Sequence, residues 1–440
     1  MPDATLVIRG GTVIGPERSA RLDVAVRDGA VVGLAEAIDP PRGAAVLDAT
    51  GCLVGPGLVD LHAHLRQPGR EEAETIETGA RAAALGGYTA IVAMPNTEPA
   101  IDSAGVAGEV LALGAGCTSE VAVAGAITVG RAGTALAPLG ELAALGVTLF
   151  TDDGAGVQDG ALMRRALDYA KGLGVTLAQH CEDACLAAGG AMHEGSWSSR
   201  LGIPGTPAAA EEAMVARDIT LARLTGAPVH FLHLSTAGSV ELVRRAKAEG
   251  LAVTAEAAPH HMLLTHAAVA GYDPVFRVNP PLRTDEDVAA VVAGLCDGTI
   301  DAVATDHAPH APESKEVPFD QAPPGMLGLQ TALPIAWEVL SPHLAPERVF
   351  ALMSAQPAAI ARLTATDPRV GGHSAQGGPV ELGAVANLCV FDPAATTVVD
   401  PMQLASRSRN TPYAGRTLAG AVRHTVLRGE PVVIDAVAQR

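Results

Sequence analysis

Through the middle of the chain, short apolar runs alternate with longer stretches whose apolar positions recur every three or four residues. The short runs end near His62, Pro95, Ala126, Thr151, His180, His233, Glu256 and Asp306. Runs of this kind read as buried strands, and the stretches between them as amphipathic helices. Three of those stretches, EAETIETGARAAALGG, GALMRRALDYAKGLG and AGSVELVRRAKAEG, close on glycine, as helix C-termini often do. Eight strands alternating with helices predict an α/β fold, a (β/α)8 barrel of the TIM type rather than an open doubly wound sheet.

The two ends of the chain are patterned differently. TLVIRGGTVIG, LDVAVRDGAVVGL and AVLDATGCLVGPG read as short strands with Gly-Gly and Asp-Gly turn signals. NLCVFDP, TTVVD and AGAVRHTVLRGEPVVI repeat that style near residue 440. The expectation is a small β-sandwich built from both termini, residues 1–54 and 366–440, around a barrel at 55–365. The Gly- and Pro-rich stretch from about 365 to 380 is the candidate linker.

Chemistry collects where the predicted barrel strands run out. VDLHAHLRQPG places His62 and His64 two apart, so both imidazoles of a strand end point to one side, with Arg66 continuing that face. TLAQHCED places His180, VHFLHLS places His233, and DAVATDHAPH places Asp306 at further strand ends. VTLFTDDG supplies Asp152 and Asp153, only one of which can face inward; alternation leaves both open. A (β/α)8 barrel carries its chemistry at the carboxyl ends of its strands. Imidazole and carboxylate donors suit a borderline metal such as zinc, and this many candidates imply two ions joined by a bridging carboxylate. A water shared by two cations loses a proton near neutral pH and becomes a nucleophile. Asp306 is then placed to carry the proton to a departing nitrogen.

Composition narrows the partners. The net charge of −18 argues against a nucleic-acid partner. It also means that an anionic small-molecule substrate must be captured by local positive charge, from the metals and Arg66. Aromatics are only 3% of residues, so the core is built from Ala, Val and Leu. The six cysteines form no C-x-x-C pattern and are expected as reduced thiols, with Cys181 facing away from the site. No signal peptide or membrane span is read, and a cytoplasmic location is expected.

The motifs DLHAHLRQPG, AMPNTEP, FTDDG, QHCED, HLST, EAAPHH, RVNPPLR and ATDHAPH together give the chain its family resemblance. It resembles the amidohydrolase superfamily and, within it, the dihydroorotases of the long bacterial type, over essentially its whole length. The resemblance implies reversible cyclisation of N-carbamoyl-L-aspartate to dihydroorotate, in pyrimidine biosynthesis, by a zinc-dependent cyclic amide hydrolase. It implies two Zn2+ held by His62, His64, Asp153, His180, His233 and Asp306, with Asp153 as the bridge and Asp306 as the proton shuttle. Substrate contacts would fall on His64, Arg66, Asn96, Asn279 and His310, and on the backbone at Pro324 and Gly325. Members of this type commonly carry Phe where this chain has Pro324. A homodimer is expected, and the resemblance leaves room for a complex with aspartate carbamoyltransferase.

Other features receive quieter readings. Glu256, His260 and His261 are expected to support the ligands or to pack. His230 is expected in the core, facing away from the site, and His193, His266, His343, His373 and His424 at the surface. RNTPYAG, residues 409–415, resembles a family segment without an evident chemical role. The long connections 181–227 and 307–330 are expected to cover the catalytic face, the second carrying Pro, Glu and Lys rather than a buried apolar set. Two alternatives remain. Hydantoinases and allantoinases usually bridge their metals with a carboxylated lysine on a barrel strand, a place that Lys171, Lys247 and Lys315, the only lysines, do not occupy. A non-catalytic homologue that stabilises the transferase would be expected to lack some of the ligands kept here.

Overall fold

The computed structural model describes residues 4–15, 19–367 and 373–440. All eight expected barrel strands form: Leu58–Ala63, Tyr88–Ala93, Glu120–Gly125, Leu149–Thr151, Thr176–Gln179, Val229–Phe231, Val253–Ala257 and Ala302–Val303. Each pairs in parallel with its sequence neighbours. The ring closes where the His64 N–H donates to the carbonyl of His307, 2.8 Å away, beyond the last strand. Glycine ends several connecting helices in the left-handed conformation, as at Gly174 (φ +70°) after Gly160–Leu173.

Small side chains fill the barrel. Val59, Leu61, Ala90, Val92, Ala122, Ala124 and Ala178 pack inside, with Ala358, Ile360 and Leu363 closing the end away from the site. A larger apolar layer between strands and helices includes Ile91, Phe150, Leu177 and Phe231. Cys181 lies in that outer layer, as expected.

The first strand departs from simple alternation. Asp60 pairs with Ile91 and Ala63 with Ala93, so three residue steps oppose two. This bulge reverses the phase: Val59 and Leu61 face the interior, whereas Ala63 and Leu65 face the outer layer. His62 and His64 are thereby turned to the inside, a re-aiming typical of bulges beside active sites.

Both termini build the sandwich. A four-stranded sheet (Leu6–Arg9, Asp23–Arg27, Ala30–Ala35, Ala45–Asp48) faces a seven-stranded one in which Leu53–Pro56 pairs with Leu388–Val398. Leu6, Ile8, Val24, Val26, Val54, Val390 and Val426 form the core between them. The candidate linker falls partly on residues 368–372, outside the described residues. Its remainder is tied down: Ser374 and Gln376 are buried and both bind the Glu120 carboxylate at the foot of the third strand.

Three histidines expected at the surface are buried. His193 accepts from Arg283 at 3.2 Å, His266 packs against His193, and His424 bonds the Asp48 carbonyl and the Asp435 N–H. His343 is exposed as expected, and His373 is half-buried. For His193 and His424, hydrogen-bond partners distant in sequence are what permit burial. No helix among the described residues is long and apolar enough to cross a membrane.

Candidate metal centre

Six side chains meet at the carboxyl ends of the strands, all buried. Two ligating groups emerge: His62, His64 and Asp153, and Asp153, His180 and His233. Asp153 belongs to both. Its Oδ1 lies 3.4 Å from His62 Nε2, 3.4 Å from His180 Nδ1 and 3.5 Å from His233 Nε2, and its Oδ2 lies 3.5 Å from His64 Nε2. Asp306 Oδ1 sits 3.6 Å from His62 Nε2 and 3.4 Å from His64 Nε2, completing the first group. Asp152 faces the other way. It accepts the N–H groups of Ile127 and Thr128 and the Thr128 hydroxyl, anchoring the loop after the third strand.

The residues fit a pair of divalent cations. His62 Nε2 and Asp153 Oδ1 are buried without any hydrogen-bond partner, a costly state for polar atoms unless something else satisfies them. Burial disfavours a charged His62, yet the Asp153 carboxylate, with Glu256 and Asp306, drives its pKa well above the ordinary value. Burial would likewise raise the Asp153 carboxyl, but the charge on His62 and the close approach of the His180 and His233 rings hold it well below the usual range. The cluster thus attracts positive charge. Arg66 and two members of the cluster take left-handed backbone conformations: Arg66 (φ +62°), His233 (φ +32°) and Asp306 (φ +46°). Such conformations cost about 1–3 kcal/mol each and persist where packing over-determines them.

Supporting contacts fix the imidazoles. His62 Nδ1 lies 2.9 Å from Glu256 Oε1, and Glu256 Oε2 lies 3.0 Å from His230 Nε2. His230 is therefore in the core, as expected, but faces Glu256 behind His62 rather than away from the site. Burial would raise the Glu256 carboxyl, but the bonds from His230 and His62 pull it down to about 2. A carboxylate there accepts from both rings and leaves His62 Nε2 unprotonated for a metal. Glu256→Gln offers only one acceptor oxygen to two N–H donors. Metal affinity is expected to fall roughly 10–100-fold, as measured by competition with a chelator, while the circular dichroism spectrum stays unchanged.

Of the expected substrate contacts, Asn96 Oδ1 lies 2.8 Å from His64 Nδ1, so it orients a ligand. Asn279 Nδ2 is 3.5 Å from His180 Nε2. Arg66 Nε donates to the Pro309 carbonyl at 3.1 Å, and His310 Nε2 to the Pro324 carbonyl at 2.8 Å. Gly325, at φ +146°, has no room for a side chain: an added Cβ would sit 2.7 Å from both Ala308 Cβ and His310 Nε2. His260 Nε2 lies 3.8 Å from Asp306 Oδ2, and His261 Nε2 donates to the Pro280 carbonyl beside Asn279.

The connection after the eighth strand is packed down, contrary to expectation. Phe319 and Ala322 are buried, Phe319 against Met192 and Ile203 of the connection after the fifth strand. Lys315 Nζ donates to the carbonyls of Pro323, Pro274 and Arg277. A short buried apolar set inside a polar segment gives no periodic signal. Arg131 was also missed: its guanidinium donates to the Asp153 carbonyl from the loop after the third strand, and no motif marks it. A cavity of about 880 Å3 lies in the sandwich among Arg9, Arg21, Asp23 and Glu36. No ligating cluster among the described residues lies there. A smaller cavity of about 90 Å3 borders the metal centre at Glu182, Arg277, Asn279 and Pro324.

Comparison with known proteins places the chain in context. A family model described as Dihydro-orotase-like matches residues 51–239. The dihydroorotase of Pelotomaculum thermopropionicum is 48% identical over 98% of this chain and 99% of its own. Those of Streptomyces coelicolor and Mycobacterium tuberculosis are each 49% identical over 98% of this chain, covering 98% and 99% of their own lengths. Among solved structures, an L-hydantoinase (dihydropyrimidinase) from Arthrobacter aurescens superposes with TM-score 0.86 at 23% identity, over 100% of this chain and 98% of that one. A D-hydantoinase gives TM-score 0.84 at 22% identity, over 100% and 96%. Those two likenesses establish the shared barrel-and-sandwich fold.

Proposed function

The chain belongs to the dihydroorotase family, and from that premise we propose that it interconverts N-carbamoyl-L-aspartate and dihydroorotate using two Zn2+ ions. The observation that carries this reading is the pair of ligand groups sharing Asp153, with Arg66 beside them. His62, His64 and Asp306 would hold one ion, His180 and His233 the other, and Asp153 would join them. When bound, the ions polarise the amide carbonyl under attack and lower the pKa of the attacking water.

The chain's own residues do the rest. Burial would raise the Asp306 carboxyl, but the bond from His64 and the charges of His62 and His233 keep it well below the usual range. It is therefore an ionised acceptor at neutral pH. In ring opening, the water oxygen bonds to the ring amide carbon, and Asp306 takes a proton from the water. The carbon–nitrogen bond then breaks, and Asp306 returns that proton to the leaving nitrogen. Closure runs the same steps backwards. Asn279 offers an amide beside His180 for the ureido group, and the His310–Pro324 contact closes the site over the ligand.

Arg66 supplies the grip on the carboxylate. Burial and the Arg70 charge bring its pKa only to about 10, so it remains cationic at neutral pH. With Nε committed to Pro309, its two terminal nitrogens are left to form parallel hydrogen bonds. Arg66→Lys loses that fork. A charged hydrogen bond is worth about 1.5–3 kcal/mol, so KM for dihydroorotate should rise roughly ten- to a hundredfold with kcat less affected. An unchanged KM would mean that Arg66 does not hold the carboxylate. Steady-state assays with dihydroorotate, hydantoin and allantoin, combined with elemental analysis, test the whole reading. Robust hydantoin or allantoin turnover without dihydroorotate turnover would overturn it.

A further inference from the structure

The segment RNTPYAG showed no role in the sequence, yet its Asn410 lies beneath the connection that carries His310, Pro324 and Gly325. Asn410 is buried, and its side chain makes three hydrogen bonds, all to the backbone of that connection. Nδ2 donates to the Ala308 carbonyl at 3.0 Å and to the Gly325 carbonyl at 3.1 Å. Oδ1 accepts the His310 N–H at 3.1 Å. The Asn410 carbonyl also accepts the Leu327 N–H at 3.1 Å.

These contacts span both limbs of the loop. Ala308 and His310 leave the eighth strand, and Gly325 and Leu327 return from it. The limbs are already paired at their base, where the Ala308 N–H donates to Met326 at 2.7 Å. Asn410 adds a cross-link between the two limbs at Ala308, His310 and Gly325. The task needs two donors and one acceptor on a single planar group, which an amide provides. A carboxylate lacks the donors, and a hydroxyl has too few groups.

We propose that Asn410 is a positioning residue for substrate binding, holding the His310 and Gly325 limbs at the spacing that lets both contact the ligand. The inference rests on the loop being the substrate-binding element, as in the proposed function. Holding the loop is separable from docking the segment itself. The residues leading into the segment are docked by other bonds: Ser406 Oγ and the Arg407 N–H bind Glu74, and Ser408 Oγ donates to the Ala73 carbonyl at 2.7 Å. Ser408 is as deeply buried, and its hydroxyl donates to Ala73 rather than to the loop.

The test compares four variants of the metal-loaded protein, two at Asn410, one at Ser408 and one at His310. Asn410→Asp removes two donors and sets an oxygen against two carbonyl oxygens. Its KM for dihydroorotate should rise roughly tenfold or more, with kcat changed less than KM and metal content intact. Asn410→Ser, a milder change should the first fail to fold, should move KM in the same direction. Ser408→Ala should lower Tm and leave KM unchanged. If Ser408→Ala raises KM as much as the Asn410 variants do, the role is structural and the proposal fails. If His310→Ala raises KM while the Asn410 variants do not, the loop binds substrate but Asn410 does not position it. If neither His310→Ala nor the Asn410 variants change KM, the loop reading fails and the proposal falls with it.

Discussion

Asp306→Asn is expected to give a folded protein with turnover reduced by at least roughly 10²–10⁴-fold, the range that positioned proton transfer contributes. Asn matches Asp in shape and tolerates the left-handed backbone that Asp306 adopts, so the eighth strand end should keep its path. The loss is chemical. The neutral amide has no basic oxygen for the attacking water's proton. It is also a weaker donor toward a cation near His62 and His64, which lie 3.6 and 3.4 Å from Asp306 Oδ1. A weakened metal site would add to the deficit, so metal content must be measured on the same sample. Unchanged circular dichroism, two retained ions and near-normal turnover would together refute the shuttle. Retained ions with lost turnover would separate proton transfer from metal binding.

The barrel was legible because its strands are short apolar runs, several of which end on a polar residue of recognisable chemistry. His62, His180, His233 and Asp306 are local signals: the strand direction and its end can be read from a few neighbours. What was not legible depends on partners distant in the chain. The bulge between Asp60 and Ala63 is set by register against the second strand, so simple alternation would have put Leu61 and His62 on opposite faces. His193 and His424 are polar residues that only a fold-level partner, Arg283 or Asp48, makes buriable. His230 became part of the site through Glu256, on the next strand. Asn410 lies about a hundred residues beyond the loop it holds, and nothing in RNTPYAG names that target. Local pattern thus found the atoms that would face the metals, while the groups that aim those atoms came from tertiary pairing.

The choice between Asp152 and Asp153 shows how tertiary pairing resolves what alternation leaves open, and it yields the sharpest metal prediction. Asp153→Ala should lose at least one of the two ions, because its carboxylate lies within 3.5 Å of all four ligand histidines. Turnover should fall with the metal. Asp152→Ala should keep both ions. It strands the N–H groups of Ile127 and Thr128, at roughly 1–3 kcal/mol for each unpaired buried group, so it should lower Tm instead. Elemental analysis and thermal unfolding of the two variants distinguish these outcomes. Metal loss confined to Asp152→Ala would reverse the assignment. The same geometry makes a carboxylated lysine unnecessary. Lys171 donates to the Thr225 carbonyl, Lys247 to Asp301, and Lys315 to the loop carbonyls, all away from the ligand groups. Metal-free protein should therefore regain full activity on addition of Zn2+ in buffer depleted of carbon dioxide. A requirement for bicarbonate would mean that the bridge is not Asp153 but a group built from dissolved carbonate.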